Sequence, residues 1–443
     1  MFAHKKWSTV DHLHVLGQLQ EKCAEWQQPL WVAFIDFEKA SDTIEHEAIW
    51  TALAKQGVPD GYVELLRRLY SKQQGQVKLD GGISRKFGVE RGTKQGDPLS
   101  TLLFNAVLED IFRELRPAWE QKRRGVEMSL GATNWITSLC FADDVALFAI
   151  NAGQLEKMIG ELGASAAKRG LKLHAGKTKI LTNMWEIGSR RLPGNLEIGG
   201  ERYEVLGPGG STKYLGRKVS MELPHQTEFE HRVGRAWATF GKFKKELADK
   251  RYILKDRLRL LNSVVGATLL YSCETWTLHR EQIARLTALQ RKMLRLVIGA
   301  RRRVQRYDSS ENSDDTEAEG SDEQPEIESW PAFLRRTARF ADELLETTGI
   351  EPWVTQWKRR KWRWAAKAME AGSEKWTKIA TLWQPVLHSS RPAGRRQARP
   401  RRRWDQDFVD FFANRGGTET NWKIMAQNPR DWENLVDEFS KLN

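Results

Sequence analysis

The chain has 443 residues, enough for two or three domains of roughly 150 residues each and for a sizeable core. Its 71 Lys and Arg against 58 Asp and Glu leave a net charge of +13, which favours polyanions, chiefly nucleic acid or an anionic membrane face. No apolar run approaches the roughly 18 residues of a membrane span, the N-terminus MFAHKKWSTVDHLHVL has no secretory apolar core, and the scattered Cys23, Cys140 and Cys273 form no CxxC. A disulfide framework and a zinc knuckle are therefore not expected, and an intracellular protein that binds metal through carboxylates remains open. Ser8-x-x-Asp11 reads as a capping box opening a helix of about 15 residues, with Val10, Leu13, Leu16 and Leu19 inward. Leu30–Ile35 is apolar on both faces, as a central strand is, and Asp36 follows at its end. Helices are predicted over Glu45–Lys55 and Gly61–Tyr70, and a hairpin over 76–90 turning at Asp80-Gly81-Gly82.

Asp97 is the N-cap candidate of a long helix beginning at Pro98, with Leu99, Leu102, Leu103, Ala106, Val107, Ile111, Phe112 and Leu115 at helical spacing. Residues 136–149, ITSLCFADDVALFA, read as two apolar arms of a tight hairpin with Asp143 and Asp144 at its tip. A helix over about 154–169 precedes a short strand at Gly170–His174, and Lys213–Gly216 lies in another short strand. From about 225 to 299 the pattern is a small helical bundle, with Phe229, Val233, Trp237, Phe240, Leu258, Leu261, Val265, Leu286, Leu289, Met293 and Leu296 as its core. Residues 308–328 hold ten acidic side chains and no basic one, so this stretch is expected to be disordered. The last part of the chain carries ten of the nineteen Trp, interleaved with Arg and Lys as in WKRRKWRW at 357–364.

Asp36 at a strand end and Asp143-Asp144 at a hairpin tip are the chemical signal. Taken singly, each is an ordinary turn or cap residue. Taken together they are carboxylates that repel one another, and a divalent cation supplies the reason to gather them. Mg²⁺ binds a few carboxylates and completes its octahedron with water and substrate phosphates, and two such ions suit phosphoryl transfer.

At these residues the sequence resembles the reverse transcriptases of non-LTR (LINE-like) retrotransposons. Phe34-Ile-Asp-Phe-Glu-Lys-Ala-Ser-Asp42 resembles motif A of that family, Gly92-Thr-Lys-Gln-Gly-Asp-Pro-Leu-Ser100 with Leu102–Asn105 motif B, and Phe141-Ala-Asp-Asp144 motif C. Gly170–Lys179 is similar to motif D and Lys213-Tyr-Leu-Gly216 to motif E, the primer grip. The resemblance implies an α+β right-hand polymerase. Fingers (partial) and palm with an antiparallel sheet would span 1–220, a helical thumb 221–303, an acidic linker 304–329, and a Trp/Arg-rich helical C-terminal region 330–443. It implies RNA-templated extension of a DNA 3′ end by dNTPs with two Mg²⁺ ions, or Mn²⁺ in their place, and template RNA and primer DNA as partners. Asp36 and Asp143 would ligate both ions, with the Phe37 carbonyl assisting and Asp144 beside them. Gln95 and Gly96 would line the nucleotide pocket. Lys177 would protonate the pyrophosphate, with Lys179 as competitor, and Tyr214, Leu215 and Gly216 would position the primer end.

Three departures matter. Ser41 stands where the family has a large aromatic under the sugar, which implies relaxed exclusion of ribonucleotides or lost sugar packing and a lower rate. His174 replaces the usual asparagine of motif D and reads as a surface or packing residue. By the resemblance, Met1-Phe2 would fall inside the fingers with no endonuclease ahead of them, as expected of a truncated element copy or a partial gene product. In the tail, Arg395, Arg396, Arg399, Arg401, Arg402 and Arg403 are expected to grip phosphates, and Trp353, Trp357 and Trp364 share one helical face that either stacks on bases or is core. The alternative to a polymerase is a decayed copy that only binds nucleic acid. Action on chromosomal DNA implies a nuclear location. No membrane partner is implied, and no protein partner is readable.

Overall fold

A computed structural model of the chain describes residues 8–94, 96–128, 135–184, 186–187, 190–191, 194–305, 326–385, 402–418 and 420–442. They form two compact units, Met1–Glu228 with Ala368–Gln406, and Phe229–Lys367 with Asp407–Asn443. Residues 330–443 are shared between the two units.

The first unit is built on a six-stranded sheet. Its elements in chain order are α1 (Thr9–Glu25), β1 (Trp31–Ile35), α2 (His46–Lys55), α3 (Asp60–Ser71), α4 (Pro98–Gln121), β2 (Ser138–Phe141), β3 (Asp144–Ala149), α5 (Ala152–Ala167), β4 (Lys179–Thr182), β5 (Asn195–Ile198), β6 (Glu201–Val205), β7 (Ser211–Tyr214) and β8 (Arg217–Ser220). The sheet order is β5-β6-β4-β1-β3-β2, with β7 and β8 as a separate hairpin. All sheet neighbours are antiparallel except β4 and β6. The central strand is β1, and all five of its residues are buried, as its two apolar faces require. Trp31, Ala33 and Ile35 join Val145 and Leu147 of β3 in one core with Val107 and Ile111 of α4 and Met158 and Leu162 of α5.

The local signals act as expected at the element starts. The Asp11 carboxylate accepts from the Ser8 N–H at 2.8 Å and caps α1. The Asp97 carboxylate accepts from the Leu99 N–H at 2.9 Å, and Pro98 occupies the first turn of α4. The hairpin within 76–90 forms as Lys78–Leu79 against Gly82–Ile83, flanked by Gln74–Gly75 against Phe87–Gly88. Other expectations are corrected. Gly170–His174 makes only a single bridge, Leu173 to Phe37, because β1 has ended there and no longer strand continues it. Leu215 and Gly216 are the turn between β7 and β8, with φ of 47° and 73°, rather than part of a strand. Leu102 is exposed and lies off the buried face of α4.

The second unit is helical, with α6 (Pro224–Lys242), α7 (Leu254–Leu260), α8 (Arg280–Ile298), α9 (Trp330–Thr348) and α10 (Trp353–Glu370) among its helices. Its core gathers Phe229, Phe240, Leu258, Val265, Trp276, Leu286, Met293, Trp353 and Trp357. Leu296, expected inside, is 45% exposed. Gly266 lies under the indole of Trp353: a Cβ there would stand 2.9 Å from Trp353 Nε1, so only glycine admits this helix contact. The Trp face of the tail is core, which excludes base stacking by Trp353, Trp357 and Trp364. Trp362 stacks on Trp432 with centroids 3.8 Å apart, and each indole N–H donates to the other residue's carbonyl at 2.8 Å. Lys361, fully buried, pairs with Asp407 beside the Trp357 ring. The ends of the acidic linker pair as Val304–Gln305 against Glu326–Ile327, a short antiparallel ladder. Residues 306–325, which carry most of the acidic run, lie outside the described residues.

Candidate active site

The three carboxylates meet because β1 and β3 are neighbours. Their register pairs Ile35 with Val145, so the adjoining residues, Asp36 just past β1 and Asp144 at the start of β3, lie at the same end of the sheet. Asp143 sits in the two-residue turn between β2 and β3, after Ala142 at φ 52°. Asp36 is half-buried, and Asp143 and Asp144 are exposed. The Asp144 carboxyl is pushed up from 3.8 to about 6, first by desolvation and then by the charges of Asp143 and Asp36. That repulsion is the observation that a divalent cation fits, because a cation relieves it. Among the described residues no group of three or more His, Cys, Asp or Glu side chains is placed to hold a metal ion by itself. A carboxylate site of this type is open by nature and is completed by water and substrate phosphates.

The end of β1 is held from the motif-D side. Thr178 Oγ1 accepts from the Asp36 N–H at 3.1 Å, and the Asp36 carbonyl accepts from the His174 N–H at 2.8 Å. The Glu38 N–H donates to the Lys172 carbonyl at 2.8 Å. The bridge is thus made by the residues flanking Phe37, and the Phe37 carbonyl takes no part in it. The Phe37 ring is buried against Phe104, so only the backbone of this residue is available to a ligand. His174 acts as a turn residue, with Nδ1 accepting from the Lys177 N–H at 3.3 Å. The two candidate lysines now differ. Lys179 is committed, its Nζ 2.6 Å from the Glu204 carboxylate and 2.7 Å from the Gly176 carbonyl. Lys177 is exposed and makes no ion pair among the described residues.

A cleft of about 350 Å³ opens beside Asp143, and Ser41, Lys94, Gly96, Asp97 and Phe104 contribute to its walls. The motif-B loop reaches it through backbone bonds: the Thr93 N–H donates to the Ser41 carbonyl at 2.5 Å and the Gly92 N–H to the Ile44 carbonyl at 2.8 Å. Gly92 has φ +88° and lies so close that a Cβ would stand 2.8 Å from the Asp42 carbonyl oxygen. Gln95, expected in the same wall, lies outside the described residues. Neither Lys94 nor Asp97 was expected in the pocket from the sequence, although the helix start at Pro98 marked the place.

Tyr214 is 2% exposed, which removes its side chain from contact with a primer. Its hydroxyl faces His12 Nδ1 at 3.3 Å and its ring lies 5.0 Å from Phe34. Burial holds the His12 imidazole down at about 4, against a smaller opposing effect of Asp11. Of the arginine run, Arg395, Arg396, Arg399 and Arg401 lie outside the described residues. Arg402 and Arg403 are half-buried, and Arg403 faces Asp405 at 3.8 Å.

Residues 2–219 match the family model of the reverse transcriptases (RNA-dependent DNA polymerases). The chain is 33% identical over 147 residues to the retrovirus-related Pol polyprotein from type-2 retrotransposable element R2DM of Drosophila melanogaster, a match covering 33% of this chain and 13% of that protein. An uncharacterized transposon-derived protein of Caenorhabditis elegans is 25% identical over 300 residues, 67% of this chain and 94% of that one. Among solved structures, apo telomerase from Candida tropicalis aligns over 67% of this chain and 51% of its own, with 12% identity and a TM-score of 0.37. The chain thus spans a small part of the fly polyprotein. No helix among the described residues is long and apolar enough to cross a membrane.

Proposed function

Residues 2–219 belong to the reverse transcriptase family, in the form carried by R2-type non-LTR retrotransposons, and from that premise we propose that the chain extends a DNA primer on an RNA template. The observation that carries the reading is the convergence of Asp36, Asp143 and Asp144 beside the cleft, with the Asp144 carboxyl raised first by desolvation and then by its two neighbours. Asp36, Asp143 and the Phe37 carbonyl would hold two Mg²⁺ ions, with Asp144 beside them. When bound, those ions lower the pKa of the primer 3′-hydroxyl and neutralise charge on the leaving pyrophosphate. The chain's own groups do the rest. The cleft wall at Ser41 and Gly96 receives the nucleotide. Lys177, exposed and without a partner carboxylate among the described residues, donates the proton to the pyrophosphate oxygen, a role that the ion-paired Lys179 does not suit. Leu215 and Gly216 offer turn backbone, rather than a Tyr214 ring, to the primer end. Arg402 and Arg403, with the arginines before them, supply phosphate contacts that fall off steeply with salt. Template RNA, primer DNA and dNTPs are the partners, and the nucleus is the place where such DNA is met.

The test is dTTP incorporation on poly(rA)/oligo(dT) with Mg²⁺, with Asp143→Ala as control. Incorporation that falls by at least about 100-fold in the control supports the reading, the loss expected when a group that stabilises transition-state charge is removed. No incorporation by wild type, with salt-sensitive nucleic-acid binding retained, assigns the chain to the decayed, binding-only class instead.

A further inference from the structure

Helix α1 is buried almost all round, and Asp11, His12, His14, Gln18 and Gln20 are among the side chains it buries. Buried polar groups persist only where partners satisfy them. One face of α1 finds them in the C-terminal region. Thr377 Oγ1 donates to Asp11 Oδ1 at 2.9 Å, and Thr381 Oγ1 lies 2.8 Å from His14 Nε2. Lys22 Nζ donates to the carbonyls of Ala380 and Thr381 at 2.6 and 2.9 Å. The Trp404 N–H donates to the Glu21 carboxylate at 2.7 Å, and the Trp404 ring meets His14 edge-on at 4.7 Å. The other face of α1 touches the elements that flank the carboxylates. The His12 ring meets Phe141 edge-on at 5.6 Å and its Nδ1 faces the Tyr214 hydroxyl. Gln20 Nε2 donates to the Ser220 carbonyl in β8 at 3.1 Å. Phe141 is the residue paired with Asp144 across the hairpin, and Tyr214 packs on Phe34, two residues before Asp36.

We propose that Thr377, Thr381 and Trp404 are positioning residues for the hairpin that carries Asp143 and Asp144. They fix α1, and α1 through His12 fixes Phe141 and Tyr214, which set the hairpin against the end of β1. The C-terminal region thereby acts in the first unit as a brace for the chemistry, in addition to any contact it makes with nucleic acid. The geometry stands by itself, and its consequence for rate rests on the polymerase reading above.

The test uses the full chain and the pair Thr377→Val/Thr381→Val, with Thr377→Ser/Thr381→Ser as the conservative control. Valine keeps the shape and leaves a buried carboxylate oxygen and an imidazole nitrogen without their hydroxyl partners; serine restores both. Amide hydrogen exchange is followed over residues 9–25 and 138–149 without nucleic acid, beside kcat and KM for dTTP. In the valine pair, exchange in both stretches should rise about tenfold and kcat fall about tenfold with KM unchanged, and the serine pair should behave as wild type. Faster exchange confined to 9–25 overturns the proposal, as does a loss of kcat that serine does not rescue. If the valine pair does not fold, Thr381→Val alone is judged by the same criteria. A wild-type chain that extends no primer refutes the polymerase reading, and exchange over 138–149 then decides the brace without it.

Discussion

Asp144→Asn should make the protein more stable at neutral pH while removing its primer extension. The Asp144 carboxyl is displaced from 3.8 to about 6 by desolvation, then by Asp143 and Asp36. Between those two values the folded chain holds a proton that the unfolded chain has released. Stability therefore falls as pH rises through this window and stays lower above it, the reverse of a carboxylate that has gained a cationic partner. A displacement of this size corresponds to about 3 kcal/mol between the two protonation states. Asp144 is exposed, and solvent screening reduces that figure to about 1 kcal/mol. Asparagine keeps the side-chain shape and removes the charge. In urea unfolding near neutral pH with EDTA present, the variant should gain about 1 kcal/mol over wild type, and the gain should vanish as pH approaches the unfolded-chain value. Extension with Mg²⁺ should fall by at least about 100-fold in the same preparation. A variant that is no more stable than wild type at neutral pH would refute the reasoning, as would a gain that does not change with pH, since either means that the three carboxylates do not repel one another in the folded chain.

Ser41→Phe should fill the cleft wall beside Asp143 and raise the preference for dNTP over rNTP by at least about tenfold, measured as the ratio of kcat/KM for the two substrates; an unchanged ratio would separate Ser41 from the sugar. Lys177→Ala should slow extension by about 100-fold under single-turnover conditions, within the range for loss of a general acid. Lys179→Ala should leave the rate alone and cost less than about 1 kcal/mol of stability, because its partner Glu204 is exposed; the opposite pattern would exchange their roles. Arg169→Met should cost about 2–3 kcal/mol in urea unfolding, since it removes two guanidinium bonds, at 2.6 and 3.0 Å, from the nearly buried Asp110 carboxylate and leaves Lys55, at 3.0 Å, as its remaining cation. Burial alone would raise the Asp110 carboxyl, but the bonds from Arg169 and Lys55 bring it below its ordinary value, so wild-type stability is fully present above about pH 4 and is lost as pH falls through the folded value. A variant whose stability matches wild type near neutral pH would remove Arg169 from that balance.

Local pattern was enough to find the chemistry. The doubly apolar Leu30–Ile35 run marks a buried central strand, and a hairpin with acids at its tip needs only residues 136–149 to declare itself. That their acids share one site was implied by the family resemblance, but that the two elements are sheet neighbours with Ile35 opposite Val145 was decided only by the tertiary structure, since the spacing within each element says nothing of its partner. The capping box at Ser8 and the Pro98 helix start were legible for the same reason: the groups that satisfy each other lie within three residues. What lay beyond reach depends on pairs far apart in the chain. Nothing near Asp11 or His14 shows that Thr377 and Thr381, some 366 and 367 residues away, satisfy them, and so the sequence assigned the C-terminal region to a separate domain. The Trp-rich face was open between core and base stacking, because periodicity shows that side chains share a face but not what covers it; burial of Trp353 and Trp357 in the core of the second unit decided it. Tyr214 and the two lysines are of the same kind: residue type and motif position gave each a role, but only tertiary neighbours, His12 over the tyrosine and Glu204 beside Lys179, determined which polar atoms were already spent.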